Sequence, residues 1–237
     1  MVDIRQVEHA GRFILYDQAH IPQIQPQWFD PEYWAKQGLV SGQAPGRGST
    51  YFIQTPAGQA ALRHYCRGGL PGRFIQDRYL WTGLARTRAW QEWHLTQTLF
   101  ASGLPVPRPL AAQVVRRGLT YQADLITERL ADVISLQDFL PQADQTDRDR
   151  CLHQLGTTLW RFHQFGLDHT DLNPRNILVS RGTLQSWLID FDRCRLIQPQ
   201  PSTQHSNLQR LNRALVKIDS QRAAHWMIKL KQAYQAN

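Results

Sequence analysis

The stretch from His169 to Asp192 constrains the fold of this chain more than any other part of its sequence. It contains two short apolar runs, 177–179 and 187–189, with Arg181-Gly182 between them. Runs of this length on either side of a glycine turn predict a β-hairpin. The two ends of a hairpin lie side by side, so we expect the polar residues next to those ends to meet: Asp171, Asn176 and Asp190.

These three side chains favour phosphate chemistry. Carboxylate and amide oxygens suit hard Mg²⁺ ions, whose other ligands would be nucleotide phosphates. The remaining aspartate can accept a proton from an attacking hydroxyl. The alternative is a polar turn between core strands, in which Asp171 caps the loop and Asn176 turns the chain. The order, the spacing and the flanking strand pattern favour a site over a turn.

The same residues resemble the catalytic loop and the metal-binding motif of the protein-kinase-like superfamily, H-x-D-L-x-x-x-N followed by D-F-G. Asp192 replaces the glycine, and the matching positions are His169, Asp171, Leu172, Asn176, Asp190 and Phe191. The resemblance implies a bilobal α+β fold, in which an antiparallel β-sheet lobe with one helix precedes a small, mostly helical lobe. It also implies ATP and Mg²⁺ as cofactors, Asp171 as the catalytic residue, and Asn176 and Asp190 as metal ligands.

The patterns along the chain predict two lobes. Residues 1–130 are expected to form an N-terminal extension and a β-rich nucleotide-binding lobe, with three antiparallel strands within 38–65 and a helix over about 86–100. Residues 131–237 are expected to form the helical catalytic lobe, whose last two helices follow a Pro/Gln-rich turn and begin near Asn207. This second lobe is short for a protein kinase and lacks an A-P-E-like segment, which favours a small-molecule acceptor.

Glycines and a hinge are the first nucleotide contacts that the resemblance implies. Gly46 and Gly48 lie at a predicted hairpin tip, where glycine lets backbone N–H groups approach phosphates. Such hairpins are common, so the assignment depends on the motifs that follow in order. Glu128 begins the segment that leaves the first lobe, and the backbone of this segment is expected to meet adenine.

An arginine occupies the place of the lysine that contacts the α- and β-phosphates in kinases. No lysine occurs in residues 37–216, and Arg63 lies at the matching position of a predicted strand. Glu92, on the following helix, is its expected acidic partner; the alternative is an exposed helical glutamate. Either the site is shaped around the longer arginine fork or nucleotide binding is impaired, and the intact motif residues favour the former.

Arginine dominates the basic charge of the chain. The formal net charge is +8, and only four of the 27 basic residues are lysine. The planar guanidinium binds phosphate and carboxylate in bidentate fashion, so we expect an anionic partner. Charge alone leaves nucleic acid, acidic lipid and phosphosugar open as that partner.

The segment from Arg63 to Arg88 contains six arginines, both end residues included, and the single acid Asp77. We interpret this segment as an anion-binding loop beside the active site, and the alternative is a solvated basic linker. The candidate acceptor contacts are three residues of this segment and one residue of the catalytic loop: Arg67, Arg73, Arg78 and Arg175.

Cysteine usage and hydropathy favour a cytosolic protein. The three cysteines, Cys66, Cys151 and Cys194, are far apart and lack metal-ligand spacing, so we expect free thiols in a reducing compartment. No apolar run marks a signal peptide, and none reaches the roughly 18 residues of a membrane span. We therefore expect a protein that is kept in the cytosol and can reach a membrane surface.

Four segments, 62–70, 77–81, 103–109 and 169–173, narrow the resemblance to the family of 3-deoxy-D-manno-octulosonic acid (Kdo) kinases. It implies ATP-dependent phosphorylation of the 4-hydroxyl of Kdo in the Kdo–lipid A precursor, during biosynthesis of the lipopolysaccharide inner core. It also implies a peripheral protein on the cytoplasmic face of the bacterial inner membrane. The expected partners are this acceptor and the anionic membrane surface, with no nucleic acid and no obligate protein partner.

Two alternatives stay open. Another small-molecule kinase of the same fold, acting on heptose or a different sugar, would share every catalytic residue. A catalytically inactive kinase-like scaffold would also explain the absent lysine and the aspartate at position 192. The residues by themselves predict an ATP-dependent phosphotransferase with a hydroxyl acceptor that is small and anionic.

Overall fold

The computed structural model describes residues 3–44, 50–66 and 77–236. These residues form two compact units. Unit 1 comprises the described residues up to Gln97 together with Arg108–Arg129. Unit 2 comprises Thr98–Pro107 and the described residues from Leu130 onward.

The segment Thr98–Pro107 belongs to unit 2 although it precedes the last strands of unit 1 in the chain. Its backbone is bonded there, since the N–H of Leu188 donates to the carbonyl of Pro105 at 3.1 Å. The guanidinium of Arg161 donates to the carbonyl of Gly103 at 3.0 Å. A division of the chain at a single point near residue 130 does not separate this segment.

Unit 1 is built on one antiparallel sheet, with eight strands among its described residues. The strands are β1 (Ile4–His9), β2 (Arg12–Asp17), β3 (Val40–Ala44), β4 (Thr50–Thr55), β5 (Gly58–His64), β6 (Tyr79–Leu80), β7 (Pro109–Arg117) and β8 (Thr120–Glu128). Their order across the sheet is β1-β2-β7-β8-β5-β4-β3, and β6 pairs with β8 beyond the end of β5. The prediction of three antiparallel strands within 38–65 is confirmed by β3, β4 and β5.

One face of this sheet packs against helix α2 (Arg88–Ala101). Trp90 and Trp93 of the helix lie in a buried cluster with Val114 and Leu125 of the central strands. Alternating side chains of β7 and β8 point to opposite faces, and this is why the same two strands also contribute to a second cluster.

The opposite face is covered by the N-terminal extension. A 3₁₀ turn at Pro26–Phe29 and helix α1 (Pro31–Lys36) bury Trp28 and Trp34 against the sheet. The Asp30-Pro31 pair predicts the start of α1, and the structure confirms it, because the Asp30 carboxylate accepts a hydrogen bond from the N–H of Glu32 at 2.9 Å.

Unit 2 combines four helices with short antiparallel strands among its described residues. Its elements after the end of α2 are β9 (Val133–Ser135), α3 (Leu136–Gln142), α4 (Gln145–Gln164), β10 (Leu167–Asp168), β11 (Ile177–Ser180), β12 (Ser186–Leu188), β13 (Arg195–Leu196), α5 (Pro201–Ile218) and α6 (Ala223–Gln235). The predicted hairpin is confirmed, with Ile177 of β11 opposite Leu188 of β12.

Helix α5 begins earlier than the sequence predicts. The expected start near Asn207 is wrong, because the helix already includes Pro201 at its first turn. Proline fixes φ near the helical value and lacks the N–H that a first turn leaves unpaired, so it starts a helix well even in a Pro/Gln-rich segment.

Helices α4 and α6 approach closely at Gly156. A Cβ on this glycine would lie 2.2 Å from the carbonyl oxygen of Leu230 and 3.0 Å from the Cβ of Ala233. Backbone cannot move away as a flexible side chain does, so Gly156→Ala is expected to destabilise unit 2 by about 2 kcal/mol or more. Thermal unfolding should report a melting temperature lower by about 5 °C or more. Gly182→Ala is the control, because no atom lies within 4 Å of its added Cβ.

The same helix pair contains a buried histidine, His163, whose pKa is lowered. Nδ1 of His163 lies 2.7 Å from the hydroxyl of Tyr234, and burial lowers the pKa of His163 to about 4. The pKa of histidine in the unfolded chain is about 6.5, so between pH 6.5 and pH 4 the unfolded chain binds more protons than the folded one. Protonation of this group therefore lowers the free energy of unfolding as the pH falls through that window.

His163→Gln is expected to weaken the pH dependence of folding. The unfolding free energy of the wild type should fall by about 1 kcal/mol more than that of the variant between pH 7.5 and 5.5. Glutamine keeps a polar partner for Tyr234 but does not titrate. Denaturant unfolding of both proteins at the two pH values measures the difference, and equal slopes would show that His163 is not responsible.

Candidate active site

The loop between β10 and β11 folds back on Asp171. The side-chain amide of Asn176 donates to the carbonyl of Asp171 at 2.9 Å and lies 3.5 Å from its carboxylate. The amide of Asn173 donates to the same carbonyl at 3.0 Å. Asp171 is exposed whereas Asn176 is buried, so the loop presents one carboxylate on a backbone that two asparagines hold.

The hairpin brings Asp190 to this loop. The N–H of Ile189 donates to the carbonyl of Asn176 at 3.0 Å, and Asp190 follows directly. Asp190 has φ of +62°, in the left-handed region that residues with a side chain seldom adopt. Strained backbone conformations cluster at active sites, and aspartate is among the residues that tolerate this region best. The three residues that the sequence singles out, Asp171, Asn176 and Asp190, thus lie at one end of the β11–β12 hairpin.

The donor set of this hairpin end fits a magnesium–nucleotide complex. Asp190 supplies a carboxylate, and Asn176 uses its amide nitrogen toward Asp171, which leaves its amide oxygen for a ligand. Magnesium in kinases takes one or two carboxylates from the protein and completes its shell with phosphates and water. Asn176 and Asp190 are therefore the residues that would hold such an ion.

His169 links the loop to the strand that leads into Asp190. Its Nε2 lies 3.2 Å from the carbonyl of Ile189, and its ring packs 5.5 Å from that of Phe191. Burial lowers the pKa of His169, so the imidazole is neutral near pH 7 and donates through Nε2 to that carbonyl. The residue has a structural role between two parts of the motif.

Asn207, on α5, fixes the start of the loop. This fully buried side chain accepts the N–H of His169 at 2.8 Å and donates to the Asp168 carboxylate at 3.1 Å. It also donates to the carbonyl of Thr203 at 2.9 Å, while Arg195 donates to the second Asp168 oxygen at 3.2 Å. Sequence reasoning missed Asn207, although an asparagine on the apolar stripe of a helix is a detectable signal.

We expect Asn207→Leu to lower kcat at least about tenfold, because the loop that carries Asp171 loses its anchor and two buried polar groups lose a partner. The KM for ATP should change far less than kcat. The exposed Asn212 of the same helix provides the control Asn212→Leu, which should behave like the wild type. Steady-state kinetics at a temperature where both variants are folded measure kcat and the KM for ATP. An unchanged kcat would show that Asn207 does not position the loop that carries Asp171.

In unit 1, Arg63 and Glu92 form an ion pair between β5 and α2. Tyr65 joins them, since the Arg63 guanidinium donates to the Tyr65 hydroxyl at 2.9 Å and this hydroxyl donates to the Glu92 carboxylate. Burial and the Glu92 charge raise the pKa of Tyr65, so the phenol stays protonated. Glu92 is buried rather than exposed, and Tyr65 is a member of the group that the sequence did not indicate.

The other expected nucleotide residues are placed as follows. Gly46 and Gly48 lie outside the described residues. Glu128 is exposed at the end of β8, and its N–H donates to the carbonyl of Arg108 at 2.8 Å. The N–H of Arg129 donates to the carbonyl of Gln59 at 3.0 Å, so both N–H groups are engaged within unit 1.

The candidate acceptor residues fall into two groups. Arg67 and Arg73 lie outside the described residues. Arg78 is exposed just before β6. Arg175 is exposed on the 3₁₀ turn beside Asn176, and its Nε donates to Gln137 of α3 at 2.8 Å.

Arg88 does not belong to an anion-binding loop, and this part of the prediction is wrong. It begins α2, where its guanidinium donates to the Tyr79 hydroxyl at 2.8 Å and lies 4.8 Å above the Tyr79 ring. Packing on an aromatic ring uses the planar face of arginine, which charge counting along the sequence cannot distinguish from anion binding.

Comparison with known proteins identifies the relatives of this chain. Residues 31–234 match the model of the lipopolysaccharide kinase (Kdo/WaaP) family. The chain is 40% identical over 223 residues to a 3-deoxy-D-manno-octulosonic acid kinase of Vibrio parahaemolyticus, covering 94% of this chain and 92% of the relative. It is 43% identical over 198 residues to the protein of that name from Photobacterium profundum, covering 84% and 82%.

A solved structure shows the same fold. The chain aligns with WaaP, in a structure described as WaaP in complex with acyl carrier protein, with a TM-score of 0.58. The alignment covers 88% of this chain and 87% of the other at 14% identity, so it supports the kinase-like fold. The family model and the curated relatives lead to one conclusion: this chain is a phosphotransferase that belongs to the lipopolysaccharide kinase (Kdo/WaaP) family.

Proposed function

We propose that this protein transfers the γ-phosphoryl group of ATP to the 4-hydroxyl of Kdo in the Kdo–lipid A precursor. The observation that carries the proposal is the end of the β11–β12 hairpin, where Asp171, Asn176 and Asp190 converge. Relatives named Kdo kinases, about 40% identical over most of the chain, support the choice of acceptor.

Asp171 is the proposed catalytic residue. Its exposed carboxylate would orient the Kdo hydroxyl and accept its proton as the hydroxyl oxygen bonds to the γ-phosphorus. The bond between the γ-phosphorus and the bridging oxygen breaks, and its electron pair leaves with ADP. The transition state of phosphoryl transfer is loose, so most of the acceleration comes from positioning and from neutralising charge.

Several residues would bind the nucleotide. Asn176 and Asp190 would hold Mg²⁺, which neutralises phosphate charge when bound. Arg63, fixed by Glu92, would contact the α- and β-phosphates. The glycine pair at 46 and 48 would cover the phosphates, and the chain from Glu128 onward would meet adenine.

An anionic acceptor fits the arginines of this chain. Arg175 lies one residue from Asn176 on the catalytic loop and would contact the Kdo carboxylate or a lipid phosphate. Arg67, Arg73 and Arg78 are proposed to contribute further charge. The acceptor is a lipid, so we propose that the enzyme works as a peripheral protein on the cytoplasmic face of the inner membrane. None of the helices that the structure describes is both long and apolar enough to cross a bilayer.

ADP release in the presence of different acceptors tests the proposal. We expect Kdo–lipid A to stimulate ADP release strongly, and a heptose-bearing acceptor without an available Kdo 4-hydroxyl to stimulate it little. Stimulation by heptose alone would indicate another sugar kinase of this fold. If the protein is folded and neither acceptor causes ADP release, the chain is an inactive kinase-like scaffold.

A further inference from the structure

Two leucines protrude from one end of the sheet in unit 1. Leu80, at the end of β6, is 66% exposed, and Leu119, in the turn between β7 and β8, is 78% exposed. Leu80 is opposite Thr120 in the sheet, and the N–H of Trp81 donates to the carbonyl of Leu119 at 2.9 Å. The two side chains therefore belong to the same end of the sheet, and we call this feature the leucine tip.

The leucine tip stands on packed aromatic rings. Trp81 is half-buried and stacks on Phe13 with 5.8 Å between ring centroids. The guanidinium of Arg116 lies 5.0 Å from the Trp81 ring. Because this base is packed and bonded to the turn, the exposure of the leucines is a property of the fold.

Basic residues lie close to the leucine tip in the chain. Arg78, Arg116 and Arg117 are all exposed, and each lies two or three residues from one of the two leucines. The neighbouring acid, Asp77, is engaged by Gln122 and lies 3.4 Å from His64. An apolar projection with a half-buried tryptophan and several arginines has the composition of an interfacial membrane anchor.

We infer that the leucine tip inserts into the surface of an anionic bilayer, with Leu80 and Leu119 among the acyl chains and the arginines at the lipid phosphates. The inference rests on the proposed function, because a lipid-borne acceptor requires the enzyme to reach a membrane. Two leucines are small beside the roughly 1,600 Å² that a stable protein interface buries. A fluid bilayer needs no complementary surface, so a small convex tip suits it better than it suits a protein partner.

Vesicle sedimentation tests this anchor with the full chain. We expect Leu80→Ser/Leu119→Ser to lower the partition coefficient onto phosphatidylglycerol-containing vesicles about tenfold or more, because exposed leucine gains substantially from leaving water. The matched control is Val216→Ser/Ile228→Ser, whose side chains on α5 and α6 are 45% and 54% exposed. This control should bind like the wild type, and a comparable loss in it would overturn the assignment to the leucine tip.

The arginines have their own arm of the experiment. Arg116→Gln/Arg117→Gln should weaken binding to anionic vesicles and remove most of the salt dependence, while binding to neutral phosphatidylcholine vesicles should already be weak in the wild type. Equal binding of the wild type to neutral and anionic vesicles would contradict the proposed charge match.

Kinetics separate this inference from the proposed function. The wild type and the leucine variant should phosphorylate a water-soluble, Kdo-bearing oligosaccharide without acyl chains at equal rates. With acceptor in vesicles, the leucine variant should be slower than the wild type. If the wild type binds vesicles through the leucine tip but phosphorylates neither acceptor, the proposed function is wrong and the membrane anchor still stands. If the leucine variant keeps full vesicle binding but loses self-association or binding to an acidic protein, the tip is a protein interface and the inference fails.

Discussion

Asp171→Asn is expected to lower kcat about 10²- to 10⁴-fold, the range that a positioned general base contributes. The amide has the shape of the carboxylate but cannot take the proton of the acceptor hydroxyl. The loop should keep its conformation, because the side chains of Asn173 and Asn176 both donate to the backbone carbonyl of Asp171, which the substitution does not change. ATP titration calorimetry and thermal unfolding should therefore give values close to those of the wild type.

Asp132→Asn is the matched control for this substitution. Asp132 is an exposed acid of unit 2 with φ of +50°, a conformation that asparagine tolerates well. This substitution should leave kcat within a factor of about two of the wild-type value, since exposed ion pairs such as that between Asp132 and Arg181 contribute little to folding stability. Turnover of Asp171→Asn within a few-fold of the wild type would remove Asp171 from the catalytic role.

Arg63→Ala is expected to lower kcat/KM for ATP about 10²-fold, with part of the loss in KM, because a charged hydrogen bond to phosphate disappears. The substitution also leaves the buried Glu92 carboxylate without its cation, at a cost of about 3 kcal/mol or more in folding stability. Arg63→Lys need not restore the activity, since a single ammonium lacks the planar fork with which a guanidinium binds phosphate in bidentate fashion. Initial rates over a range of ATP concentrations measure these effects.

The double variant Arg63→Ala/Glu92→Ala separates stability from nucleotide binding. It should recover much of the folding stability, because no unpaired carboxylate stays buried, yet it should bind ATP as weakly as Arg63→Ala. ATP kinetics of Arg63→Ala that match the wild type would show that another group holds the phosphates.

Local patterns were sufficient for much of the fold. The hairpin from Ile177 to Leu188 and the start of α1 at Asp30 depend on residues close together in sequence, so turn glycine, strand alternation and capping preferences identify them. The pairing of Arg63 with Glu92 was predictable for a different reason, since the order of motif elements in a known fold supplies the long-range contact.

Contacts that depend on tertiary packing were not predictable. Asn207 reaches Asp168 and His169 from a helix almost forty residues away, and its sequence context shows only a polar residue on an apolar stripe. Tyr65 looks like an ordinary strand aromatic until α2 places Glu92 beside it. Charge counting grouped Arg88 with the loop arginines because it cannot register the Tyr79 ring on which that guanidinium packs.

Phosphorylation of Kdo at the hairpin end around Asp171 would add the mass of one phosphate to the acceptor. Kdo–lipid A is incubated with ATP, Mg²⁺ and the protein, and the lipid is then examined by mass spectrometry, with phosphorus–proton NMR to locate any phosphate. We predict a gain of one phosphate at the 4-position of Kdo with the wild type, and at least about a hundredfold slower gain with Asp171→Asn. An acceptor of unchanged mass, or a phosphate on a different sugar, would show that this protein does not phosphorylate the 4-hydroxyl of Kdo.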